Sequence, residues 1–165
     1  KGMPLGNLTS QFFANVYLNE LDQFVKHKLK AKYYIRYVDD FIILDYDDLT
    51  LVEYKEKINE FLRDKLILEL HPNKSKILPL RNGVNFLGYR IFYHHKLLRK
   101  SNLKKFGRNL KEKIEIYKVG RCTYEQLLSS IEGWFGYAMW ADSYKLRKKI
   151  MKMVRRLENN STNHN

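Results

Sequence analysis

Tyr33-Tyr34-Ile35-Arg36-Tyr37-Val38-Asp39-Asp40-Phe41-Ile42-Ile43-Leu44 sets an acidic pair between two strand-forming runs. Aromatic and β-branched residues flank Asp39-Asp40 on both sides. Such residues favour strands and an acidic pair suits a reversal, so the pattern predicts a β-hairpin with both aspartates at its turn. Two adjacent carboxylates held by apolar strands offer the hard oxygen ligands that magnesium takes. Neighbouring side chains of a strand face opposite ways, so Asp39 and Asp40 are expected to do unequal work. A plain solvated turn carries the same residues, and a four-residue string does not separate the two readings.

Outward from this hairpin the chain alternates helix and strand signals. Residues 1–7 (KGMPLGN) are turn-rich and lead into a predicted helix over 9–29. In that helix Phe12 and Val16 begin a mixed pattern that Leu18, Leu21 and Val25 continue as a buried stripe. Asp45, Asp47 and Asp48 form an acidic loop suited to a helix N-terminus. The next helix spans about 51–66, with Leu51, Tyr54, Ile58, Phe61, Leu62 and Leu66 at helical spacing. A strand at 67–70 is expected to end at His71-Pro72-Asn73. Residues 75–80 and 84–92 read as a second hairpin around Arg81-Asn82-Gly83, because Asn-Gly is a strong turn signal.

Beyond Lys100 the pattern is helical. Leu103, Phe106, Leu110, Ile114 and Tyr117 mark one helix, stopped near Gly120. Thr123 and Gln126 read as a capping box opening another. In Gly133-Trp134-Phe135-Gly136-Tyr137-Ala138, the glycines suggest close helix contact and the aromatics suggest core. The last helix, about 143–157, is expected to bury Leu146, Ile150, Met153 and Leu157. Its other face carries Lys145, Arg147, Lys148, Lys149, Lys152, Arg155 and Arg156. A polar tail over 159–165 is expected to be disordered. The fold class is α+β: an antiparallel sheet with packed helices over 1–98, then a three-helix unit over 99–158.

The 165 residues are 44% hydrophobic, enough for a core, and their 31 Lys plus Arg against 18 Asp plus Glu give a net charge of +13. That surplus favours a polyanion, because each phosphate neutralised releases counterions. A solvated basic face is the plainer use of the same residues. Cys122 is the single cysteine, which excludes an internal disulfide and points to a reducing, cytoplasmic setting. The five histidines show no zinc-site spacing. No apolar run approaches the ~20 residues of a membrane span.

Four segments together resemble bacterial reverse transcriptases of the group II intron and retroelement type. Tyr37-Val38-Asp39-Asp40 is similar to their YxDD box. Gly2-Met3-Pro4-Leu5-Gly6-Asn7-Leu8-Thr9-Ser10-Gln11 resembles the segment that lies beside the incoming nucleotide. His71-Pro72-Asn73-Lys74-Ser75-Lys76 resembles the lysine-bearing palm loop. Asn85-Phe86-Leu87-Gly88-Tyr89 resembles the hairpin that grips the primer. All four stand in the family's order.

The resemblance implies an RNA-directed DNA polymerase whose palm ends near residue 98 and whose thumb follows. Asp39 and Asp40 would help to hold two Mg2+ ions, and Lys74, rather than Lys76, would act at the departing pyrophosphate. Pro4, Leu5, Gly6, Ser10 and Gln11 would shape the nucleotide pocket. On the residues alone, Thr9 or Ser10 serves equally as a helix cap. Phe86, Leu87, Gly88 and Tyr89 would bind primer, with Gly88 admitting its backbone; a β-bulge is the plainer use of that glycine. Lys148, Lys152 and Arg155 would meet nucleic-acid phosphates. Leu5 and Gln11 give the segment its likeness to diversity-generating retroelements.

Expected partners are an RNA template, a DNA primer, deoxynucleoside triphosphates, a basic accessory protein and a second copy joined through an exposed palm edge, with no membrane. The family's first catalytic aspartate precedes the glycine-rich segment, so these residues alone are expected not to polymerise. The alternative from a different class is a maturase-like RNA-binding protein with a residual acidic turn.

Overall fold

The structure, a computed structural model, describes residues 8–162. The fold is α+β, with five α-helices and two small antiparallel sheets among the described residues. The chain divides into two compact units, Lys1–Ile77 and Leu78–Asn165. The second sheet therefore groups with the helices that come after it, not with the first hairpin.

In the first unit, α1 (Leu8–Gln23) runs into a single π-helical turn, Phe24–Lys28. Strands β1 (Tyr33–Tyr37) and β2 (Asp40–Leu44) pair antiparallel, and α2 (Asp48–Leu66) comes next. Leu21, Val25, Ala31, Ile58, Leu62 and Leu66 form the core, and the Phe24 and Phe61 rings stack 4.2 Å apart. Tyr34, Phe41 and Ile43 pack onto it from one face of the hairpin. The pleat sends Tyr33, Ile35, Tyr37 and Leu44 to the other, exposed face. Phe12 and Val16, expected to begin a mixed apolar and polar pattern, are exposed. The stripe starts at Leu18.

The acidic loop caps α2 as its composition implies. The Asp47 carboxylate accepts from the backbone N–H groups of Leu49 (3.2 Å) and Thr50 (3.0 Å). The strand expected at 67–70 does not form. Ile67 instead takes a left-handed conformation (φ 52) as the cap of α2, and Leu68 N–H bonds back to Leu62 O at 3.0 Å. Among the described residues no strand pairs with this segment, and Leu70 N–H is met by the Asn59 side chain.

In the second unit, β3 (Val84–Phe86), β4 (Tyr89–Ile91) and β5 (Lys96–Leu98) form a meander. The hairpin expected around Asn82-Gly83 is displaced. Residues 75–80 form no strand, and Leu80–Asn82 form a 3-10 turn after Pro79, which has no N–H for a ladder. The reversal lies at Leu87-Gly88, between the Phe86–Tyr89 pair.

Three helices complete the unit: α3 (Lys100–Lys118), α4 (Tyr124–Ala138) and α5 (Tyr144–Thr162). The Thr123–Gln126 capping box is present, with Gln126 N–H on Thr123 Oγ1 and Thr123 N–H on Gln126 Oε1. Leu110, Leu127, Ile131, Ile150 and Val154 are the core, and Trp134 stacks on Phe106 at 3.7 Å. Val154 holds the position expected of Met153, because 146, 150 and 154 repeat every four residues on one side of α5. Met153 is exposed. A Cβ at Gly133 or Gly136 would meet nothing within 4 Å, so these glycines mediate no close helix contact among the described residues. Helix α5 reaches Thr162 rather than ending near 157. Residues 163–165 lie outside the described ones.

Candidate active site

The two carboxylates are not equivalent in position. The loop between β1 and β2 is Val38-Asp39, and Asp40 is already the first residue of β2, opposite Tyr37. Only Asp39 therefore sits in the reversal, a correction to the reading that placed both there. The register gives Asp40 the same face of the sheet as Tyr37, Ile35 and Ile42. Both aspartates are exposed.

Val38 is the strained element. Its φ is 55, a conformation unfavourable for a β-branched residue, and of the two loop residues only Val38 has positive φ. Positive φ at the first loop residue alone belongs to the type II′ family of hairpin turns, where glycine usually stands. Holding valine there costs on the order of 1–3 kcal/mol, which the surrounding structure must offset.

Arg36 supplies part of that support. It lies on the packed face of β1. Its Nε and Nη2 donate to Asp22 Oδ1 (2.8 Å) and Oδ2 (2.5 Å) on α1. Its Nη1 donates to Val38 O at 2.7 Å and to Asn15 Oδ1 at 3.0 Å. Tyr34 Oη donates to Asp22 Oδ1 at 2.6 Å. Burial alone would raise the Asp22 carboxyl, but the bonds from Arg36 and Tyr34 and the nearby charges of Arg36 and Lys26 hold it below its ordinary value. Burial, then the bond to Asp22 and its negative charge, push the Tyr34 phenol well up. The bond to Asp22 raises Arg36 further.

The other expected residues of this unit stand apart in their bonding. Lys74 is exposed on a tight turn in which Lys74 N–H and Ser75 N–H bond to His71 O (3.1 and 3.0 Å). No hydrogen bond or ion pair joins Lys74 to Asp39 or Asp40 among the described residues. Ser10 and Gln11 lie in the first turns of α1, while Pro4, Leu5 and Gly6 lie outside the described residues. Among the described residues no three His, Cys, Asp or Glu side chains cluster to hold a metal ion. The turn thus offers two carboxylates and no third.

At the second hairpin, Phe86 is buried and Tyr89 Oη donates to Tyr137 O at 2.8 Å, so both are held in the fold. Gly88 (φ 83) is closed over as well. A Cβ there would lie 2.5 Å from Tyr137 Oη and 2.7 Å from Asn102 Nδ2. Its carbonyl accepts from Tyr137 Oη (2.7 Å) and Arg99 N–H (3.0 Å). Gly88 thus leaves room for Tyr137 on that side. Leu87, 45% exposed at the tip, is the member of the four that presents an apolar side chain outward.

On α5, Lys148, Lys152 and Arg155 are exposed, together with Lys145, Lys149 and Arg156. Arg147 is not part of that face. It donates to Ser143 Oγ at 3.2 Å and lies over the Phe135 ring.

Sequence reasoning missed Arg36, Asp22 and Tyr137. The signal for Arg36 was legible: in Tyr33–Tyr37 the alternation puts Arg36 on the same face as Tyr34, and a cation on a packed face needs a partner. Nothing in the sequence marked Tyr137 as the lid over Gly88.

A family model described as Reverse transcriptase (RNA-dependent DNA polymerase) matches residues 1–91. Protein YkfC of Escherichia coli (strain K12) is 26% identical over an alignment covering 55% of this chain and 32% of that protein. The chain thus spans about a third of the length of the curated relative it matches. With an exposed acidic pair on a β-hairpin turn inside the matched region, the chain belongs to the reverse transcriptase (RNA-dependent DNA polymerase) family.

Proposed function

We propose that the full-length protein copies RNA into DNA, with the Val38–Asp40 turn as part of its metal site. The carrying observation is a pair of adjacent exposed carboxylates, Asp39 in a tight reversal braced from α1 and Asp40 at the start of β2. Hard, adjacent oxygen donors fit magnesium. When bound, two Mg2+ ions would neutralise charge at the primer 3′ hydroxyl and the leaving pyrophosphate. Asp39 and Asp40 would hold them, from a rigid turn that needs little reorganisation. Lys74, an exposed cation on its own turn, would meet the pyrophosphate. Pro4, Leu5, Gly6, Ser10 and Gln11 would contact the deoxynucleoside triphosphate.

In the second unit, Leu87 at the exposed tip would touch the primer, with Phe86, Gly88 and Tyr89 fixing the hairpin. Lys148, Lys152 and Arg155 would meet phosphates of the RNA–DNA duplex as the thumb. The net charge supports a polyanionic partner. Leu5 and Gln11 support a diversity-generating type of retroelement, and the lone Cys122 supports a cytoplasmic setting. No helix among the described residues is long and apolar enough to cross a membrane. Among the described residues the β1–β2 hairpin pairs with no further strand, and such edges favour pairing with strands from the same protein or a second copy.

Because no third carboxylate joins Asp39 and Asp40 among the described residues, we expect these 165 residues by themselves to be inactive. The test is extension of a DNA primer on an RNA template. Full-length protein should give product with Mg2+, and the 165-residue chain should give none. No product from the full-length protein, or equal product from both, contradicts the reading.

A further inference from the structure

The polymerase reading assigns roles to Asp39 and Asp40 and none to the cation one residue before Tyr37. We infer that Arg36 is the positioning residue of the acidic turn: it ties the Val38 carbonyl to Asp22 of α1 and so sets the direction in which Asp39 and Asp40 present their carboxylates. This inference rests on the reading of that turn as the metal site.

Three observations carry it. First, all three guanidinium nitrogens are engaged: Nε and Nη2 on Asp22, and Nη1 on Asn15 and Val38 O. The contact to Val38 O, at 2.7 Å, is to the peptide group that leads into Asp39. Second, that peptide comes after a valine at φ 55, a conformation it leaves readily unless its surroundings hold it. Third, the anchor is firm. Asp22 also accepts from Tyr34, and the Arg36 side chain is only 10% exposed. A planar fork can grip a carboxylate with two nitrogens and a carbonyl with the third, whereas lysine, a point charge, cannot. Anchor residues Asn15 and Asp22 both stand on α1, the helix that also carries Ser10 and Gln11 of the expected nucleotide pocket.

The decisive variant is Arg36→Lys in the full-length protein, with two readouts. The first is hydrogen–deuterium exchange without metal. Exchange over Val38–Asp40 should quicken several-fold while peptides of α1 and α2 stay unchanged. The second is the Mg2+ concentration giving half-maximal primer extension. It should rise by roughly 10-fold or more, because losing a group that orients metal ligands costs ~10–100-fold in metal affinity. The KM for template–primer should stay within about twofold, since R36K removes no expected nucleic-acid contact. Should R36K fail to fold, Asp22→Asn keeps the Val38 contact and weakens its anchor. It should shift both readouts the same way by less.

Unchanged exchange at the turn, a uniform rise across the unit, or an unchanged Mg2+ requirement overturns the inference. Wild-type protein that extends no primer sinks the polymerase reading instead, and the exchange result then still decides whether Arg36 holds the turn.

Discussion

The Val38-Asp39 and Leu87-Gly88 turns are both two-residue reversals, and each puts an apolar residue into left-handed conformation, at φ 55 and φ 49. They differ in the neighbour of that residue and in the groups that cover the turn. At Leu87 the next residue is glycine, also left-handed, and Tyr137 and Asn102 close over it. At Val38 the next residues are aspartates, and both are exposed. At one turn the glycine is covered while Leu87 stays exposed, and the other turn is held from beneath by Arg36. The same backbone problem has thus been solved once with glycine and a lid, and once with a side-chain brace that leaves both aspartates exposed.

That contrast predicts opposite consequences of mutation. In the full-length protein, Asp40→Ala should cut turnover by roughly 10²–10³-fold, the scale on which losing a group that stabilises transition-state charge acts. Leu87→Ala should change turnover little and raise the KM for template–primer a few-fold. Steady-state primer extension on the two variants separates them, and equal effects on turnover would erase the distinction between the turns.

Stability should invert the order. Gly88→Ala meets Tyr137 Oη at 2.5 Å and keeps an unfavourable φ, so it should cost about 3 kcal/mol by chemical denaturation. Tyr137→Phe should cost about 1 kcal/mol, because the Gly88 carbonyl loses one donor and keeps Arg99 N–H. A Gly88→Ala protein as stable as the parent would show that the lid does not bear on Gly88.

The smallest effect is the pH response of the open turn's brace. The Asp22 carboxyl is held below its unfolded value. Its contribution is therefore full above the ordinary aspartate range and is lost as pH falls through the lower, folded value. Asp22→Asn should flatten that part of the stability profile below about pH 4, read by thermal melts across pH. An unchanged profile would remove Asp22 as a working anchor.

Much of this was legible in the residues. The alternation through Tyr33–Leu44 gave the hairpin, Asp47 gave the α2 cap, and Thr123 with Gln126 gave the α4 capping box, because each is decided by near neighbours. The features that the residues did not show were decided at a distance. Asn82-Gly83 is a good local turn signal, yet Pro79 turned the chain early and Tyr137, 49 positions beyond Gly88, favoured the reversal there. The strand expected at 67–70 needed a partner, and the described residues offer none. The family's motif order pointed to Asp39 and Asp40 as candidates, but only the register showed that Asp40 belongs to β2.

The most direct test of where metal binds uses Mn2+ in place of Mg2+ and nuclear magnetic resonance of the full-length protein. Paramagnetic broadening should appear first at the amides of Val38, Asp39 and Asp40 and weaken in Asp40→Ala. Broadening that is absent at Val38–Asp40, or unchanged in Asp40→Ala, would contradict the assignment of the acidic turn as the metal site.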